Sequence, residues 1–269
     1  MANTARFTHE KLPLNIDGVQ LDLAVIRRSG PKAPILFLHG FGSTKEDYAD
    51  ITLQPAFEGH PFIAYDAPGC GETECGELSR INIPLLVKTA QSVLAHYGVD
   101  KFHLVGHSMG GLTGLILAHA DPERVLTFVD IEGNIAPEDC FLSRQIHEHK
   151  HDDDAGFFRH FIERTRLAPD PASALYAASL AHKVRTEAVR GIFESMVELS
   201  DYGDLMAKFL DLPFPRQYMY GVTNSHLSYL DDIATHGVQL ACIPDCGHFP
   251  MYSNPALMWQ YIKALQDRV

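Results

Sequence analysis

A serine with a glycine two positions away on either side, Gly106-His107-Ser108-Met109-Gly110, is the part of this chain best suited to chemistry. It follows the apolar run Phe102-His103-Leu104-Val105 and precedes a helix-like run that begins Gly111-Leu112-Thr113-Gly114. A Gly-x-Ser-x-Gly turn between a strand and a helix lifts the hydroxyl clear of the sheet, and glycines are needed where larger side chains would collide. The helix start behind Ser108 offers N–H groups and a positive dipole end to a developing oxyanion. Such a serine needs a base. Among fifteen histidines, His248 in Asp245-Cys246-Gly247-His248-Phe249-Pro250 stands on a loop after the strand-like stretch 238–243, where it would serve as that base. A second oxyanion donor is offered by His39-Gly40-Phe41-Gly42 after the buried-type strand Ile35-Leu36-Phe37-Leu38. The N–H of Phe41 would join that of Met109.

These groups need elements to hold them. Asp17-Gly18 marks the turn of a hairpin over 7–28, and its second arm alternates Val19, Leu21, Leu23, Val25 with Gln20, Asp22, Ala24,. Strands are expected at 34–38, 61–65, 102–105, 125–131, 217–220 and 238–243, with helices at 82–97 and 110–120 between them. Strands separated by helices imply an α/β fold with a parallel sheet and right-handed crossovers, and ligands then bind beyond the C-terminal strand ends. The stretch 134–213 breaks the pattern. Helix-like runs at 155–167, 171–181 and 185–199 read as a helical cap, with Phe157, Phe161, Ile192 and Phe193 among its apolar faces. The core would then be 1–133 and 214–269. Candidate pocket residues are His39, Gly40, His107, Phe157, Phe161 and Phe249.

The segments 36–43, Tyr65-Asp66-Ala67-Pro68-Gly69-Cys70-Gly71, 103–111, Asp121-Pro122-Glu123-Arg124-Val125 and 247–255 resemble the α/β-hydrolase superfamily, in its cap-bearing, esterase-like branch. The resemblance implies a mostly parallel eight-stranded sheet flanked by helices, a cap inserted after the sixth strand, and a catalytic order of serine, acid, histidine. In most members the acid stands in a Gly-x-x-Asp turn after the seventh strand. Here that turn reads Gly221-Val222-Thr223-Asn224, and asparagine cannot carry the charge. Some haloalkane dehalogenases of the superfamily take their acid from the end of the sixth strand, at a spacing similar to the 24 positions from Ser108 to Glu132. Resemblance therefore points to Glu132, with Asp130 and Asp231 as runners-up and Asn224 as an uncharged orienting partner. A dehalogenase would have aspartate at the position of Ser108.

The expected reaction is hydrolysis of a carboxylic ester through an acyl-enzyme, with no cofactor or metal. A C–C bond hydrolase or a proline-releasing aminopeptidase with the same serine and histidine, and a non-catalytic small-molecule receptor, are the alternatives. A net charge of −12 argues against a nucleic-acid partner, and no stretch has the length of a membrane span. The start Met1-Ala2-Asn3-Thr4-Ala5-Arg6 has no apolar leader, and five cysteines do not form an even set. Free thiols in the cytoplasm are the reading, in a monomer or homodimer acting on a small molecule. The run His147-Glu148-His149-Lys150-His151-Asp152-Asp153-Asp154 has donors for a divalent cation, but a solvated cap loop accounts for it better.

Overall fold

Asp17 and Gly18 take φ of 52° and 89°, the backbone of a two-residue type I′ turn. They join strands β1 (Thr8–Ile16) and β2 (Val19–Arg28), paired antiparallel in unbroken register from Thr8↔Arg27 to Ile16↔Val19. The computed structural model describes residues 6–149 and 153–269. Residues 1–5, read above for a leader, and Lys150, His151 and Asp152 of the histidine–aspartate run lie outside the described residues.

The next strands are β3 (Ile35–Leu38), β4 (Phe62–Tyr65), β5 (Glu74–Cys75), β6 (Phe102–His107), β7 (Val125–Ile131), β8 (Arg216–Gly221) and β9 (Gln239–Ile243). The sheet order is β1-β2-β4-β3-β6-β7-β8-β9, and β3, β4, β6, β7, β8 and β9 pair in parallel. Strands β3, β4 and β6 are buried at every position, as parallel strands covered on both faces must be. The eight expected strands are present. A ninth, β5, lies beside β2 and was not expected, because two residues carry no periodicity to read.

Helices α1 (Ile83–His96) and α2 (Met109–Ala120) pack on each other, and α2 lies against β6 and β7. Asn82 caps α1 by accepting from the Leu85 N–H at 3.0 Å, with Pro84 inside the first turn,. Between β7 and β8 come α3 (Asp154–Arg166), α4 (Pro171–Lys183), α5 (Thr186–Tyr202) and α6 (Leu205–Leu210). The expected third run falls three residues short of the end of α5, and α6 is too short to show helical spacing. Helices α7 (Leu230–Thr235), α8 (Pro250–Ser253) and α9 (Pro255–Gln266) complete the chain.

The inserted helices are tied to the sheet side. The Gly71 N–H donates to the Lys183 carbonyl at 2.7 Å, and the Arg185 N–H donates to that of Gly69 at 2.9 Å. The loop they grip is itself held by a buried ion pair, Lys45 Nζ to Asp66 Oδ2 at 2.9 Å. No helix among the described residues is long and apolar enough to cross a membrane, and all five cysteines are free. Among the described residues no cluster of three or more His, Cys, Asp or Glu could hold a metal ion.

His103 on β6 and His60 before β4 are buried, their rings 6.1 Å apart. Burial lowers both imidazoles to about 4. Above about pH 6.5 an imidazole is neutral in the folded and the unfolded chain alike and contributes nothing. As the pH falls from there toward 4, the unfolded chain takes up protons that the folded chain refuses, and stability is lost. Urea unfolding at pH 7 and pH 5 should show a loss of about 1–2 kcal/mol per histidine. His103→Gln should reduce that difference, and an unchanged difference would clear His103 of the effect.

Candidate active site

The parallel strands end in one row, with Leu38 beside Gly106, His107 beside Ile131, Ile131 beside Met219 and Gly221 beside Ile243. Residues just beyond these ends are therefore neighbours in space, however far apart in sequence. Ser108 follows β6 directly and begins α2 with φ 52° and ψ −118°. That backbone is held by its own N–H donating to the Ile131 carbonyl at 2.9 Å and by its carbonyl accepting from Leu112 at 3.0 Å. A Cβ on Gly106 would fall 2.4 Å from the Gly110 carbonyl oxygen, and one on Gly110 would fall 2.1 Å from that of Leu38. Only glycine fits at either place. The Ser108 hydroxyl does not cap α2 and makes no hydrogen bond among the described residues.

Glu132 follows β7 and also has positive φ, 46°. So does Asp245, in the loop that leads to His248. Each such non-glycine residue costs about 1–3 kcal/mol, and such strain gathers at functional sites. The Glu132 side chain is 6% exposed, and four contacts compensate its burial. It accepts from the Gly221 N–H at 2.8 Å, and Asn224 Nδ2 reaches both carboxylate oxygens, at 2.9 and 2.8 Å. His248 Nδ1 lies 2.6 Å from Oε2. A carboxylate accepts in this contact, so Nδ1 carries the shared proton. Asn224, standing where the resemblance expected an acid, is thus a donor to the Glu132 carboxylate.

Ser108, Glu132 and His248 line one cavity of about 730 Å³, walled largely by apolar side chains including Phe41, Phe161, Phe193 and Phe249. The N–H groups of Phe41 and Met109 have no acceptor among the described residues. Tyr176 of α4 donates its hydroxyl to the Phe41 carbonyl and stacks on Phe249 with ring centres 4.5 Å apart. No local pattern in the sequence marked Tyr176, because its partner lies 135 positions away.

His107, Phe161 and Phe249 line the cavity. His107 also donates Nε2–H to the His248 carbonyl at 2.8 Å. Burial pushes its ring well below the ordinary imidazole range, so it is neutral. Three expected pocket residues stand outside the wall. His39 points across to the Asp66 loop, its Nε2 accepting from the Ala67 N–H at 2.8 Å. Gly40 is covered by His107, whose Nδ1 a Cβ there would meet at 2.6 Å. Phe157 sits behind the wall, edge-on to Phe193 at 5.8 Å. The runner-up acids lie elsewhere. Asp130 is fully buried and accepts from the Gly133 N–H, burial raising its carboxyl well above the usual range, while Asp231 is exposed on α7.

A family model described as the alpha/beta hydrolase family matches residues 35–260. The dihydrolipoyllysine-residue acetyltransferase component of the acetoin cleaving system of Cupriavidus necator is 30% identical over 42% of this chain and 29% of its own length. A proline iminopeptidase of Lactobacillus delbrueckii subsp. bulgaricus is 30% identical over 39% of this chain and 37% of its own. The chain thus spans well under half the length of these relatives. Among solved structures, a carboxylesterase of the thaumarchaeon Nitrososphaera gargenis has a TM-score of 0.75 at 14% identity, covering 96% of this chain and 100% of that one. A thermophilic esterase from Thermogutta terrifontis has a TM-score of 0.74 at 20% identity, covering 98% and 99%. At these identities the likeness is one of fold.

The contacts around Glu132 predict what an acid at 224 would do. Asn224→Asp sets a second carboxylate within about 3 Å of the first, so one of the pair must take up a proton or the contact opens. Relative to the unsubstituted protein, the variant should melt lower at pH 7.5 and recover toward pH 5. Equal melting of the two proteins at both pH values would show that Asn224 contributes nothing to holding Glu132.

Proposed function

The chain belongs to the alpha/beta hydrolase family, and from that premise we propose that it is a serine hydrolase of carboxylic esters. The observation that carries this reading is the 2.6 Å pair of His248 Nδ1 and Glu132 Oε2 beside a Ser108 hydroxyl left free on the same cavity. Ser108 Oγ attacks the acyl carbon while His248 Nε2 takes its proton. Glu132 holds the tautomer and offsets the imidazolium charge. The N–H groups of Phe41 and Met109 receive the oxyanion. His248 then protonates the leaving alcohol, and water, activated by the same nitrogen, releases the acid and restores Ser108. Water is the sole co-reactant.

In this reading 134–213 is a cap over a core of 1–133 and 214–269, and Tyr176 steadies the oxyanion loop through the Phe41 carbonyl. An apolar cavity of about 730 Å³ suits a small or medium substrate.

Initial rates on p-nitrophenyl esters of increasing acyl length test the proposal. Ser108→Ala and His248→Ala should each lose roughly 10³-fold or more, and Glu132→Gln on the order of 10²-fold or more. A fluorophosphonate should label the protein at Ser108 and leave Ser108→Ala unlabelled. Near-normal turnover by Ser108→Ala would overturn the mechanism. Labelling without turnover of any ester would move the same three residues to an amide or C–C bond.

A further inference from the structure

Four arginines of the inserted segment are matched with acceptors, Arg159 of α3 is exposed, and Arg164 stands on the cavity wall. Arg144 pairs with Asp201 at 2.6 Å, Arg166 with Glu163 at 2.6 Å and Arg190 with Asp154 at 2.7 Å. Arg185 donates to the Gly71 carbonyl at 3.0 Å. Arg164 of α3 lines the cavity and forms no ion pair among the described residues. Its Nη1 donates to Gln145 Oε1, while Nε and Nη2 are shut off from solvent without a partner. The guanidinium carbon lies 5.9 Å from the centre of the Phe161 ring, another cavity residue.

Two unmatched donors on a partly buried guanidinium are costly, and burial lowers its pKa,. The carboxylates of the same cavity are already engaged. Glu132 is held by Gly221, Asn224 and His248. Asp139 accepts from the Ile135 and Ala136 N–H groups and from the Tyr229 hydroxyl, and burial pushes it up to about 6. Glu163 belongs to Arg166. Among the described residues no carboxylate is left to serve as its counter-ion, and a ligand carboxylate is the planar acceptor that matches a guanidinium.

We propose that Arg164 is an anion subsite of the cavity and that the substrate carries a free carboxylate besides its scissile ester. The reading deepens the proposed function, on which it rests for the bond cleaved but not for the binding of the anion. Substrates of this class are half-esters of dicarboxylic acids with an apolar spacer, the spacer lying against the phenylalanine wall.

Calorimetric titration of Ser108→Ala with monomethyl suberate and dimethyl suberate isolates the one charge. The monoanion should bind at least about tenfold more tightly, in keeping with a charge-assisted hydrogen bond. Adding Arg164→Met should bring the ratio near one, and Arg164→Lys should restore part of it. Melting curves of the Met and Lys variants identify any that fails to fold, and the folded one then decides the matter. Equal affinity for the two ligands, or a preference that survives loss of the guanidinium, would overturn the subsite. Hydrolysis by the unsubstituted protein of p-nitrophenyl octanoate against p-nitrophenyl hydrogen suberate separates the two readings. Turnover of both without charge preference defeats the subsite and leaves the esterase. An Arg164-dependent preference in binding without turnover defeats the esterase and leaves the subsite.

Discussion

The carboxylate of Glu132 is the constraint around which this site is arranged. A carboxylate so deeply withdrawn from water is tolerable only with its oxygens fully engaged. Its partners come from three separate pieces of chain: the Gly221 N–H and the Asn224 amide after β8, and His248 after β9. Each partner is placed by the parallel register, which brings the ends of β7, β8 and β9 side by side. A one-residue slip in either pairing would remove a donor and leave a buried charge exposed to its full desolvation cost. The same contact fixes the proton on His248 Nδ1, so strand pairing and imidazole tautomer are physically linked.

Strain is concentrated where that arrangement meets the serine. Ser108, Glu132 and Asp245 all have positive φ without being glycine, and two of them follow directly on strand ends. At Ser108 the close packing of its flanking glycines goes with that conformation. Gly106 and Gly110 let β6, β3 and α2 approach more closely than any side chain there would allow.

The helices inserted between β7 and β8 add a second layer of control. Tyr176 joins the Phe41 loop to the Phe249 ring next to His248, and the 183–185 segment is bonded to the loop at 69–71. The wall they build includes Arg164, which has Gln145 Oε1 as an acceptor and no counter-ion among the described residues. In the proposed reading, the sheet supplies the chemistry and the insertion supplies the selection.

Much of this was written in the sequence, for local reasons. Steric exclusion at Gly106 and Gly110 makes the elbow legible from five residues, and Asp17-Gly18 announces its turn because both positions need positive φ. Long periodic runs revealed the eight expected strands and α1 to α5, whereas β5 and α6 were too short to show a period and α7 to α9 were not anticipated. Resemblance and spacing pointed to Glu132 and made Asn224 an uncharged orienting partner, but only the pairing of β7 with β8 shows that the Asn224 amide meets the Glu132 carboxylate. His39 and Phe157 were misjudged as pocket residues because residue type says nothing about which way a ring turns. The sequence by itself determined the α/β class, the strained serine turn and the late histidine, all set by short-range sterics and periodicity. The tertiary structure alone decided which donors meet the Glu132 carboxylate, that Tyr176 reaches Phe41, and that Arg164 has no counter-ion among the described residues, because those contacts join residues far apart in the chain through register and packing.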